Sequence, residues 1–578
     1  MEDEGRVPTD PSTPGSASRS ARWLSGPIVD LFLGCGVGYV VLTVLLLISG
    51  ATQSLALWAP FATDVLALVT NTPHYGATLL RVYEHRSDRR RYGFFAVHAT
   101  LLIFGLFAGG LYWAPLGSLL LTVYASWSPW HFAGQNYGLA LMFLRRRGVP
   151  VDARTKRLLY TSFVLSFLIT FFAIHGGGGR LHLAPVPEEA FVHYEFLSIG
   201  IPDSISLPAL WICGSAYVLT LVAAAASLLR RARAIELGPS AMLVLLQALW
   251  FSIPALLVLR GEPSVWDVTR TTIWVSIFHS IQYLWVSSYY ARQTGDSSRS
   301  TYLGKTLLAG AGLTMLPALL FMPGLLGTIP FDAGLGRVLF AAVNIHHFML
   351  DGVIWKLRDG RIARALLRAE QTTSKPTAPE NRLGRRLVWL ACAGALGIYV
   401  VNSWEFEFGV RRPSERGNFA RQEKAIQRLR WIGRESHAVH YNLGFGLARD
   451  GQLLAARPHL ERSLELYPTA KTWTALGNLE SVEGRYAVAL SALDTAIALD
   501  SGYEIAHKRR GEVLAALGEL DAALDALGEA ERLAPDNSNI RESLERVKRW
   551  RASADAAGSA NTGRPRPSPP GATFRPRR

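Results

Sequence analysis

The stretch RVLFAAVNIHHFMLDGVIWK, residues 337–356, decides how this chain folds. It is long and apolar enough to cross a bilayer as a helix, yet it carries His346, His347 and Asp351 near its centre. A polar imidazole in hydrocarbon costs free energy unless it has a partner, so intramembrane ionisable residues point to function. Three other apolar segments repeat the arrangement, with His74 in NTPHY, His131 in WHFAGQNY and His279 in HSIQY.

Working outward, the apolar residues, 49% of the 578, concentrate before about residue 403. The expected fold is therefore all-α: a polytopic transmembrane bundle over 27–403, followed by a soluble tail. About eleven spans are expected, at 27–49, 55–80, 93–113, 116–144, 157–175, 207–229, 239–260, 267–291, 303–322, 333–357 and 383–403. Asn71-Thr72-Pro73 falls inside the second, where proline removes a helix hydrogen bond and kinks or breaks the helix. Ala114-Pro115 makes the third and fourth a tight hairpin. The polar stretch 1–26 is expected to be disordered and has no signal-peptide pattern.

The net charge of +15 does not argue for nucleic acid, because much of it sits in short loops between apolar runs. Arg81 to Arg91, Arg145 to Arg157, Arg230 to Arg233, Arg292 to Lys305 and Lys356 to Arg386 mark alternate loops. By the positive-inside rule these loops and the N-terminus face the cytoplasm, as in a bacterial inner membrane, and an eleventh span puts the tail in the periplasm. The 176–206 connection reads as a solvated loop. Cys35, Cys213 and Cys392 all lie in expected spans, so neither a disulfide framework nor a thiolate metal site follows.

From about residue 437 a fixed period appears. Gly444, Gly477 and Gly511 are 33 and 34 residues apart, and Ala456, Ala489 and Ala523 keep the same rhythm, as do Leu460, Leu493 and Leu527. This resembles the tetratricopeptide repeat, in which small residues let paired helices approach. The resemblance implies a repeat domain over 415–550 that binds a protein partner. Residues 551–578, rich in Pro, Gly, Ser and Arg, are expected to be disordered.

The orientation permits a depth test on the histidines. His74, His131, His279, His346 and His347 all fall between the midplane and the cytoplasmic face, on four helices. They are the expected metal ligands. Residues three or four apart share a helix face, so Gln135, Gln282 and Asp351 accompany His131, His279 and His347 as candidate catalytic or ligand-orienting groups. A nitrogen and oxygen donor set without thiolate suits iron, copper, zinc or manganese, with iron the expectation.

The clusters are similar to those of polytopic, histidine-rich membrane oxidoreductases such as lipid desaturases, hydroxylases and carotenoid-cleaving oxygenases. That resemblance implies a lipid or isoprenoid substrate. Only His346-His347 echoes the H-x-x-H-H box of desaturases, and no complete box occurs. Two other functions stay open: a non-covalent haem or quinone electron carrier, and a lipid-linked sugar transferase bearing a repeat domain.

Overall fold

A computed structural model describes residues 22–48, 60–84, 86–177, 194–257, 268–294, 298–322, 334–355, 360–368 and 382–560, with isolated positions between 258 and 330. Among the described residues the fold is all-helical; the one bridge of β type joins Gly176 and Ile201. The chain divides into two units, one made of residues 1–187, 193–318 and 336–399, the other of 188–192, 319–335 and 400–578.

In the first unit a bent entry, Pro27–Gly34, leads into α1 (Val37–Ile48). Then come α2 (Pro60–Val69), α3 (Asn71–Tyr83), α4 (Phe94–Tyr112) and α5 (Ala114–Arg146). They are followed by α6 (Ala153–His175), α7 (Asp203–Leu229) and α8 (Ala234–Leu257). The last four are α9 (Val268–Gln293), α10 (Arg299–Leu319), α11 (Leu335–Ile354) and α12 (Arg382–Trp404).

Helices fall, in whole or in part, at every expected span. Among the described residues six helices are long and apolar enough to cross a membrane, or seven if the bent entry and α1 count as one span. α5 and α9 are long enough but fall outside that set, because His131, Gln135, Asn136, His279 and Gln282 lower their average hydropathy. The second expected span is broken as the proline predicts. α2 ends at Val69, and Pro73 sits in the first turn of α3, where a missing N–H costs nothing.

Three devices fix the helices that matter. α3 and α10 cross backbone to backbone: a β-carbon at Gly76 would overlap the Thr306 carbonyl, and one at Gly310 the Thr72 carbonyl. The entry segment clasps α9, because the buried Asp30 carboxylate accepts from Leu24 N at 2.5 Å, Ser25 N at 3.0 Å and Trp285 Nε1 at 3.0 Å. At the basic end of α5, Arg146 donates to the carbonyls of Leu366 at 2.6 Å and Trp23 at 2.7 Å.

The 176–206 connection is not simply solvated. Residues 178–193 lie outside the described residues, but the part that follows packs along α5. Glu195 N donates to Ser118 Oγ and Leu197 N to Thr122 Oγ1, at 3.1 and 2.8 Å. His175 Nδ1 accepts from Ile199 N at 3.2 Å.

In the second unit α13 (Phe419–Trp431) precedes three helix pairs. They are α14 (His437–Arg449) with α15 (Leu453–Leu466), α16 (Ala470–Val482) with α17 (Tyr486–Leu499), and α18 (Glu504–Ala516) with α19 (Leu520–Leu533). α20 (Ser538–Ala560) closes the stack. The period has a direct cause. A β-carbon at Gly444, Gly477 or Gly511 would lie 2.9, 2.8 or 2.7 Å from the Cγ of Leu460, Leu493 or Leu527. Gly451, Gly484 and Gly518, in the turn within each pair, have φ of 83°, 77° and 82°, a left-handed conformation that favours glycine. The expected disorder over 1–26 and 551–578 lies largely outside the described residues. Where it does not, Leu24 is buried and its N–H donates to Asp30, and the last helix runs on to Ala560.

Replacing Gly477 by valine should therefore lower the stability of this unit by roughly 1–3 kcal/mol through overpacking. Gly528→Ala, where a β-carbon meets nothing within 4 Å, should leave it unchanged or raise it. Thermal unfolding of the two variants followed by circular dichroism checks the contrast.

Candidate metal centre

Four of the five expected histidines converge. His74 on α3, His131 on α5, His279 on α9 and His347 on α11 each offer a ring nitrogen, and these four atoms lie within 4.8 Å of one another. The rings form a closed circuit edge to face: centroids are 4.9 Å apart for His74–His279, 5.1 Å for His279–His131, 5.0 Å for His131–His347 and 4.1 Å for His347–His74. Phe132 covers His279 at 4.0 Å, and Phe348 stacks on His131 at 4.3 Å.

His346 does not join them. Its Nε2 pairs with Thr100 Oγ1 at 2.9 Å and its ring lies beside Phe104. Adjacent residues on a helix are about 100° apart, at 3.6 residues per turn, so one of a His-His pair must turn away. Expecting both as ligands is corrected on that ground.

The electrostatics of the cluster are unusual. Both ring nitrogens of His74 and of His279, and Nε2 of His131 and His347, are buried without a hydrogen-bond partner among the described residues. A neutral imidazole has one donor and one acceptor nitrogen to satisfy. Leaving a buried polar atom unsatisfied costs about 1–3 kcal/mol, and six of them together rival the whole stability of a typical domain. A cation accepting a lone pair from each ring would satisfy four of the six. Asp351 lies beside the rings, with Oδ2 3.4 Å from His347 Nε2 and 4.0 Å from His131 Nε2.

A second polar layer lies one helical turn further on. Thr78, Gln135, Tyr283 and Asp351 each follow a cluster histidine by four residues, on the same helix face. In each case the step leads towards the basic end of the helix. Thr78 Oγ1 is the hub: it lies 2.7 Å from Tyr283 OH, 2.9 Å from His347 Nδ1 and 2.9 Å from Asp351 Oδ1. Tyr283 OH also reaches Asp351 Oδ1 at 2.8 Å and accepts from Trp355 Nε1 at 2.8 Å. Gln135 and Gln282 are hydrogen-bonded to each other, and Gln282 donates to the Gly34 carbonyl at 2.8 Å, so this pair braces the site against the entry segment. Thr78, Tyr283 and Trp355 were not expected from the sequence, although the i, i+4 spacing from His74 and His279 carried the signal.

Beside the cluster lies a cavity of about 300 Å³. Its polar lining is His131, Gln135, Tyr283 and Asp351, and the rest includes Trp127, Trp130, Phe348, Trp355 and Leu366. The donor set fits a nitrogen-ligated transition metal, with the cavity open to one side of it. Comparison with known proteins gave no match, either to a protein-family model or to a curated protein.

Thr78→Val keeps the shape of the side chain and removes the hub. Loss of such an outer hydrogen bond commonly weakens metal binding by about 10–100-fold. Titration of the purified variant with the metal, read against wild type, should show a loss in that range with helix content unchanged.

Proposed function

We propose that this chain is a membrane-embedded, metal-dependent oxidoreductase acting on a lipid- or isoprenoid-type substrate. The observation that carries the reading is the convergence of four buried imidazoles, most of their nitrogens unpartnered, beside a largely apolar cavity. His74, His131, His279 and His347 would hold the metal, with iron the leading choice and copper, zinc or manganese the others. A redox-active ion bound there supplies the electron transfer and oxygen chemistry that side chains lack. The chain's own residues do the rest. Thr78 and Tyr283 fix the orientation of His347 and Asp351, and the aromatic lining excludes water from the reacting groups.

Haem fits the same residues poorly. A porphyrin held between two axial imidazoles needs the equatorial space that the other two rings fill. The sugar-transferase reading has no support from this cluster, which is histidine-rich and lies away from the outer loops.

The same proposal places the first unit in a bacterial inner membrane. Clustering of Arg and Lys at alternate helix ends supports about eleven spans with a cytoplasmic N-terminus. The helix pairs of the second unit serve as a tetratricopeptide-type array for a protein partner, on the periplasmic side.

Elemental analysis of the purified protein tests the core of the proposal. Wild type should carry close to one transition-metal ion per chain. His279→Ala and His347→Ala should lose most of it while remaining folded, because each helix satisfies its backbone internally. Full occupancy in both variants would remove the assignment.

A further inference from the structure

The chain that enters the second unit folds back on itself. α12 continues without a break into the helical segment Glu405–Arg411. A turn at residues 412–418, with Gly417 at φ 66°, then reverses the direction, and α13 packs against Glu405–Arg411 in the antiparallel sense. Two contacts set the register. A β-carbon at Gly409 would lie 2.5 Å from that of Ala425, and Arg428 donates to the Glu405 carboxylate at 2.7 and 2.8 Å. Residue 425 thus faces 409 and residue 428 faces 405, so one turn further on Trp431 comes level with residue 402. Arg434 Nε, just beyond the helix, donates to Asn402 Oδ1 at 3.0 Å.

That level is where the apolar run of α12 ends. The helix is one of the six long and apolar enough to cross a membrane, and its exposed side chains there are Val400, Val401, Trp404 and Phe406. Asn402 and Glu405, each paired to an arginine of the returning chain, sit among them. A spanning helix has lipid against such a face, and the change from apolar to charged groups marks the headgroup layer. Beside that change Trp431 is 89% exposed, and the neighbouring Arg430 side chain 68%. On the other side of α13, Gln422, Ala425, Ile426 and Leu429 are buried, so packing within the unit holds Trp431 outward. Water leaves the apolar surface of that ring unburied, whereas the headgroup layer suits an apolar ring with one N–H.

We propose that the last turn of α13 is a membrane-interface anchor. It enters the phospholipid headgroup layer end-on beside α12, with the Trp431 ring among the glycerol groups and Arg430 on the phosphates, and it prefers anionic lipid. The proposal rests on α12 being a span and is independent of the metal. Charge agrees with it, because α13 carries Arg421, Lys424, Arg428 and Arg430 against Glu423 alone. The entry is end-on because α13 runs alongside the continuation of α12. Ala420, on the same exposed face, lies eleven residues before Trp431, which places it about 16 Å further out. The headgroup layer, about 5–7 Å deep on each side of the bilayer, ends short of it. The anchor ties the root of the helix stack to the membrane surface.

The test uses the full chain in vesicles of equal parts phosphatidylcholine and phosphatidylglycerol. The photoreactive residue benzoylphenylalanine replaces one residue at a time, and lipid adducts are read by mass spectrometry after illumination. With the probe in place of Trp431 the chain should capture phospholipid, and with the probe in place of Ala420 almost none. A probe in place of Val400 reports on the span itself. Capture at 400 with none at 431 overturns this inference alone, whereas no capture at 400 takes α12 out of the membrane and the inference with it. Equal capture at 420 and 431 overturns the end-on geometry. Adducts of phosphatidylglycerol at 431 should outnumber those of phosphatidylcholine by up to about fivefold, the preference one cationic side chain confers near an anionic surface. Arg430→Glu should bring the two to parity, and parity with Arg430 in place overturns the preference for anionic lipid. If the probe at 431 abolishes the thermal transition, a probe in place of Gln427, one turn back on the same exposed face, takes over and must capture phospholipid.

Discussion

Everything in the first unit turns on the cost of burying imidazole nitrogens without partners. Phe132, Phe348, Tyr75 and Tyr283 press against the rings of the cluster. Inside such a shell a polar atom has only its immediate neighbours, and here those neighbours are other imidazoles. Two neutral imidazoles can satisfy each other only once. The four rings meet edge to face and their inward nitrogens make no hydrogen bond to one another among the described residues. A cation shared by the four rings would take one nitrogen from each, and that is the physical sense of packing four helices around this point.

The surrounding structure holds these helices in register. α3 can bring His74 inward only because Gly76 and Gly310 let its backbone touch α10. α9 is fixed by Trp285, whose indole donates to the buried Asp30 and whose ring lies against Gly34. α5 carries Pro129 two residues before His131, and Ser128 Oγ donates to the Tyr124 carbonyl at 2.7 Å in the adjoining turn. The second polar layer then locks the histidine layer from below. His74, His131, His279 and His347 meet in one layer, and Thr78, Tyr283 and Asp351, four residues on, meet in the next, so one spacing serves α3, α9 and α11 alike.

Much of this was legible in the sequence. The agreement in depth of His74, His131, His279 and His347 could be read from span positions and loop charges alone. The repeat period could be read from Gly444, Gly477 and Gly511, because glycine is needed wherever a leucine of the paired helix fills the space of a side chain. Other features could not be read that way. Which of His346 and His347 faces inward depends on helix rotation, which packing sets. The span count depends on averages that the functional residues themselves depress, so α5 and α9 escape a hydropathy criterion. The binding of Ser118 and Thr122 by residues 195 and 197 joins distant segments through backbone N–H groups, which leave no mark on the side-chain pattern. Tyr283 was passed over for Gln282, because both i+3 and i+4 positions share a face with His279 and spacing alone does not choose between them.

The central claim is that four imidazoles share one metal ion. X-ray absorption at the edge of the metal that copurifies with the chain reads this directly. The account predicts a first shell dominated by nitrogen at about 2.0–2.2 Å, with the outer-ring scattering of three or more imidazoles. A shell of oxygen alone, a thiolate shell, or scattering from no more than one imidazole would contradict it.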